Sequence, residues 1–253
     1  MSTAARASRR LPAWAVGLLA ALAVAVIVAV LWRPWSTPAA MIAAGADAAA
    51  GGAIVPDPID LPDAPTVLVF GDSWTYGSAA SVPSLGYAYV LADLTGWRTV
   101  VDGVRGSGYL KPGTDGPDFG TRIAALDPAL DPDLIIIQGS INDRRLHPGG
   151  YRDAVGAAWD ALAQTYPRAA IVVLGPAPQV LPVEPSTGAI DRDLADLAAQ
   201  RGWWYISPIA DGWITSENYL DVIDTGVGRN HPSTAGHRYL AERLAAAIAV
   251  VSR

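Results

Sequence analysis

A chain of 253 residues that is 51% apolar can bury a sizeable core, and a formal charge of -6 leaves no basic footprint for nucleic acid. The absence of cysteine excludes disulfides, thiolate metal sites and a cysteine nucleophile. His147, His231 and His237 are the only histidines and none are paired at i, i+4, so neither a metal site nor any other cofactor is expected.

The first predicted element is a membrane span. Arg6, Arg9 and Arg10 precede Leu11 to Trp32, a 22-residue run without charge, and about 20 apolar residues suffice to cross a hydrocarbon core as a helix. Trp14 and Trp32 sit near its ends. The arginine bias predicts residues 1–10 in the cytoplasm and everything after the span outside the cell. A secretory signal peptide is the competing reading, although its apolar stretch is normally about 7–15 residues. A cleavage site within Ala39 to Ala50 would then release the protein. Residues 33–65, rich in alanine, glycine and proline, read as a linker.

Residues 66–253 alternate β-rich and amphipathic segments. Thr66–Phe70, Arg98–Val101, Leu134–Gln138, Ile171–Leu174 and Trp203–Ile206 are predicted strands. Tyr87–Thr95, Tyr151–Tyr166, Asp191–Arg201 and Thr234–Val250 carry helical apolar spacing. Runs such as "LIIIQ" and "IVVL" imply strands buried on both faces, which a parallel sheet between two helix layers produces. The expected fold is a three-layer α/β/α sandwich with a five-stranded parallel sheet, of the flavodoxin-like kind. In such a sheet the site lies outside the carboxyl ends of the strands. Those ends deliver Gly71-Asp72-Ser73, then "DGVRGSG", then "GSIND"; "GRNHP" precedes the last helix.

A serine hydroxyl needs a base to take its proton, and the oxyanion formed on attack needs preorganised donors. Ser73 as nucleophile, His231 as base, and the N–H groups of Ser73 and Gly106 with the amide of Asn142 as an oxyanion hole would supply both. Taken singly, these residues have plainer uses. Ser73 could cap a helix, Gly106 and Asn142 could be turn residues, and His237 could cap or pack the last helix. His147 reads as a solvated loop residue. The α/β-hydrolase elbow G-x-S-x-G is absent, because Thr75 stands where its second glycine would be.

Gly71-Asp72-Ser73, Gly106, Gly139-Ser140-Ile141-Asn142-Asp143 and His231-Pro232 stand in the order of the four blocks of the SGNH hydrolases, or GDSL esterases and lipases, which this domain resembles. The resemblance implies an SGNH-type serine esterase that hydrolyses acyl esters, most simply acetyl esters, of a glycan or small molecule through an acyl-serine intermediate. It implies structural roles for Asp72 and Asp143. Acyl transfer to a sugar hydroxyl by the same site, and a non-catalytic glycan-binding module, are the alternatives. Two positions depart from the family pattern: Trp74 replaces a leucine or isoleucine, and Gly228 replaces the aspartate that orients the histidine. Asp224 is the expected substitute for that acid, with a backbone carbonyl as the other possibility. Trp74, Tyr76, Tyr109, Trp213 and Tyr219 are candidates for stacking on sugar rings.

Overall fold

Short runs, most of them apolar and rich in β-branched residues, form the strands, and each ends at or just before a glycine or a polar residue. The computed structural model describes residues 55–253. The expected span over residues 11–32, the segment before it and the first part of the linker lie outside the described residues. Among the described residues no helix is long and apolar enough to cross a membrane.

Strands β1 (Thr66–Gly71), β2 (Arg98–Gly103), β3 (Leu134–Gln138), β4 (Ala170–Leu174) and β5 (Trp204–Ile206) form one parallel sheet in the order β2-β1-β3-β4-β5. Val69 pairs with Val101 on one side and Ile136 on the other, which fixes the register of the three strands that matter most below. Alternation along each strand feeds two cores. Val67, Val69, Leu134 and Ile136 pack with Leu91, Leu240 and Leu244 on one face, and Leu68, Phe70, Ile135 and Ile137 pack with Phe119, Trp159 and Leu194 on the other. Burial on both faces explains the continuous apolar runs.

The helices are α1 (Ser73–Tyr76), α2 (Tyr87–Thr95), α3 (Phe119–Ala124), α4 (Tyr151–Thr165), α5 (Pro185–Gln200), α6 (Tyr219–Val222) and α7 (Thr234–Val251). Helix α5 begins at Pro185 rather than at Asp191, because proline is well suited to a first helical position that needs no N–H donor. The one-turn α1, the short α3 and an antiparallel ribbon of β6 (Ile223–Asp224) with β7 (His231–Pro232) have no counterpart among the sequence expectations.

The strand order reverses direction between β1 and β3, so the crevice for a ligand opens at the carboxyl ends of those two strands. At the opposite end of the sheet, the chain entering the domain is stitched to the end of α7. The Ile59 N–H donates to Val251 O at 2.8 Å, and the Arg253 N–H donates to Ile59 O at 2.9 Å.

Candidate active site

Strand β1 ends at Gly71, and Asp72 then caps the single turn of α1, its Oδ1 accepting the Trp74 N–H at 2.9 Å. Gly77, in the left-handed region at φ 91°, closes the turn. Ser73 is therefore the first helical residue after a buried strand, and only 6% of its surface is exposed. Its own N–H has no acceptor among the described residues, as expected of a helix N-terminus. The end of β2 packs directly on this turn: a Cβ at Gly103 would collide with the Tyr76 amide nitrogen, so the close approach requires glycine.

Asp72 also ties β1 to β3. Its Oδ2 lies 3.3 Å from both Ser140 Oγ and Asn142 Nδ2. The Ser107 carbonyl accepts from the same two groups, at 2.9 Å each. The loop carrying Gly106 and the loop carrying Asn142 are thus joined beneath Ser73. Burial pushes the Asp72 carboxyl up to about 6, against the pull of the Trp74 N–H and Ser140. Asp143 holds the second loop as well, its carboxylate accepting the N–H groups of Tyr109 at 2.8 Å and Leu110 at 3.0 Å. It thus joins the loop of Gly106 to its own, the loop of Asn142. Gly106 adopts φ 75°, and its N–H has no acceptor among the described residues.

Sequence reasoning missed Arg122. Its buried guanidinium donates to Gly71 O at 2.9 Å and to Asp102 Oδ1 at 2.7 Å, and lies 4.1 Å from the Phe70 ring centroid. It clamps the ends of β1 and β2 one residue before Asp72. The only signal for it is an arginine beside Ile123 on an otherwise apolar helix face.

His231 arrives from the other side, on β7. Its Nε2 lies 2.9 Å from Ser73 Oγ, and its Nδ1 lies 2.8 Å from Gly228 O. A carbonyl oxygen can only accept, so the ring proton sits on Nδ1 and Nε2 presents its lone pair to the serine hydroxyl. Asp224, the expected orienting acid, does not face the ring. Its Oδ1 accepts the Gly226 N–H at 2.8 Å, and its backbone carbonyl accepts the Asn230 N–H at 2.8 Å, so it shapes the loop from below. A Cβ at Gly228 would lie 2.6 Å from Asp224 Cβ and 2.7 Å from Ala79 Cβ, which leaves no room there for the family's aspartate.

His237 is fully buried and satisfied at both nitrogens. Nδ1 accepts the Tyr87 N–H at 3.1 Å, and Nε2 donates to Ser78 O at 3.0 Å. Burial pushes its pKa down to about 4, so the ring is neutral and structural. His147 is not solvated as expected: its Nε2 pairs with Asp193 Oδ2 at 2.7 Å. Among the aromatics, Trp74, Tyr109 and Trp213 belong to the cores, and only Tyr76 and Tyr219 keep partial exposure. No cluster of potential metal ligands occurs among the described residues.

A family model for GDSL-like lipases and acylhydrolases matches residues 69–239. A GDSL lipase of Mycobacterium tuberculosis is 29% identical over 195 residues, which is 73% of this chain and 81% of that protein. A lipolytic protein of the G-D-S-L family from Desulfitobacterium hafniense superposes with a TM-score of 0.58 at 17% identity, covering 71% of this chain and 97% of its own. A two-domain esterase active on acetylated mannans does so with a TM-score of 0.58 at 18% identity, over 76% of this chain and 49% of its own. At those identities the two structures share the fold.

Proposed function

The chain belongs to the GDSL-like lipase/acylhydrolase family and is an SGNH serine hydrolase acting on esters; on that premise we propose that Ser73 and His231 carry out the hydrolysis of acetyl esters on a carbohydrate or small molecule. The observation that carries this reading is the 2.9 Å approach of His231 Nε2 to Ser73 Oγ; the N–H groups of Ser73 and Gly106 have no acceptor among the described residues.

Ser73 Oγ attacks the ester carbonyl carbon as its proton passes to His231 Nε2. The oxygen that gains the charge is met by the N–H groups of Ser73 and Gly106 and by Asn142 Nδ2. Collapse breaks the bond to the alcohol, which leaves with the proton from Nε2. Water then attacks the acyl-serine, giving a proton back to Nε2, and Ser73 is released with the carboxylic acid. Throughout, the Gly228 carbonyl holds the Nδ1 proton and stabilises the imidazolium with a dipole instead of a full charge. The loss of Ser73 Oγ removes the nucleophile outright. Ester hydrolysis by Ser73→Ala should fall by roughly 10⁴-fold or more, and a fluorophosphonate should label the wild type but not the variant. Retained hydrolysis in the variant would end this assignment.

The acetylated carbohydrate class is supported by the fold shared with the mannan-active esterase and by the partly exposed Tyr76 and Tyr219 near the strand ends. Acetate release from an acetylated polysaccharide tests it. The proposed location is outside the cytoplasm on a single span, resting on the uncharged run Leu11 to Trp32 behind three arginines. Full-length protein should then partition with membranes and be cut by protease added to intact cells.

A further inference from the structure

We infer that Trp74 sets the length of acyl chain the site accepts, by standing between the catalytic pair and a small apolar cavity; the inference rests on Ser73 being the nucleophile. The residue follows Ser73 directly, is 3% exposed, and its ring centroid lies 6.5 Å from that of His231. The same indole lines a cavity of about 20 Å³, whose other walls include Leu174, Ala177, Pro208, Trp213 and Leu240. Trp74 is thus the common wall of the two spaces. Such a volume holds one water-sized group, and the lining is apolar apart from Gln138 and Tyr87.

The indole is also an odd choice on packing grounds. Its Nε1 is buried without an acceptor among the described residues, a cost that leucine or isoleucine would avoid. Bulk is what the position gains from tryptophan. The indole then limits the acyl group beside Ser73 and His231 to a small one. The alcohol side of the ester, a sugar, is too large and too polar for this space. A smaller residue at 74 would join the cavity to the site and give a longer, apolar acyl chain somewhere dry to lie.

The test uses p-nitrophenyl esters of methyl-, butyl- and octylphosphonate, which capture the nucleophile in one step. A bond forms between Ser73 Oγ and phosphorus as nitrophenolate leaves, so the chain-length preference is read without turnover. Wild type should prefer methyl over butyl, and Trp74→Leu should raise the butyl-to-methyl rate ratio by about tenfold or more, the scale on which a pocket discriminates added methylenes. Trp74→Phe should move the ratio part of the way, and it carries the test should the leucine variant fail to give a cooperative thermal melt. Refilling the cavity with Ala177→Leu in the Trp74→Leu background should restore the preference for methyl. A ratio within about twofold of wild type in the Trp74 variants, or one that Ala177→Leu fails to reverse, overturns the inference while leaving Ser73 the nucleophile. Folded wild type that none of the three phosphonates labels overturns the nucleophile assignment itself, and the inference falls with it.

Discussion

The turn that presents Ser73 is held by a network of buried side chains, whereas the ring of His231 is fixed by the backbone. Around Ser73, the buried carboxylates of Asp72 and Asp143, the hydroxyl of Ser140, the amide of Asn142 and the guanidinium of Arg122 connect three strand ends. Around His231, the ring is fixed by one carbonyl, and Arg229 and Asn230 both sit at positive φ beside the fully exposed Val227. A nucleophile locked by buried polar groups loses little entropy on attack, while a base carried beside an exposed loop keeps more freedom to turn from serine to leaving group to water. The two sides should therefore respond differently to substitution.

After the loss of Ser73 itself, Asn142→Ala should have the largest effect. Turnover should fall by about 10²–10³ with the oxyanion donor gone. A loss of less than about tenfold would mean that the amide serves only the Ser107 and Asp72 contacts seen in the resting site. On the opposite side, Gly228→Ala should force its carbonyl away from Asp224 and Ala79 and with it His231. A displacement near 1 Å is enough to lower turnover by about 10². Because the loop is exposed, the melting temperature should hardly move; a large drop in stability with activity intact would reverse the assignment of this side.

Acid should separate the two sides next. The folded pKa of Asp72, about 6, stands above its ordinary 3.8, so its contribution to stability is present at low pH and lost as pH rises through 6. The folded pKa of His237, about 4, stands below 6.5, so its contribution is present above 6.5 and lost as pH falls through 4. Each amounts to something on the order of 3 kcal/mol, and over the shared window they oppose one another. Asp72→Asn removes one counterweight to the histidine, so between pH 6 and 4.5 the melting temperature of the variant should fall relative to that of the wild type. Parallel profiles in the two proteins would count against the burial cost at Asp72. The smallest effect is expected from Asp224→Asn, whose amide oxygen can still accept the Gly226 N–H. Turnover should change by less than about threefold, and a loss near 10⁴, the cost of removing a true orienting acid, would restore Asp224 to the triad.

The same contrast explains what the sequence revealed. The meeting of Ser73, Asn142 and His231 at one rim was legible because each side chain follows a strand or precedes a helix whose apolar pattern is plain. The five strands were legible for the same reason, apart from a residue or two at their ends. The orienting group was legible only as the alternative to Asp224, since a carbonyl is common to every residue and only the space around Gly228 marks out which one. Arg122 was hidden because burial of a guanidinium depends on Asp102 and Gly71, which lie far from it in sequence. The early start of α5 is signalled by Pro185, but the polar residues around that proline mask the helical pattern.

Helix α7 begins three residues after His231 and runs 18 residues to the place where Ile59 meets Val251 and Arg253. At 1.5 Å per residue it is about 27 Å long, so the chain enters the domain a full helix length from the catalytic rim. A bead or a surface coupled at residue 55 would therefore meet the domain at the end away from Ser73.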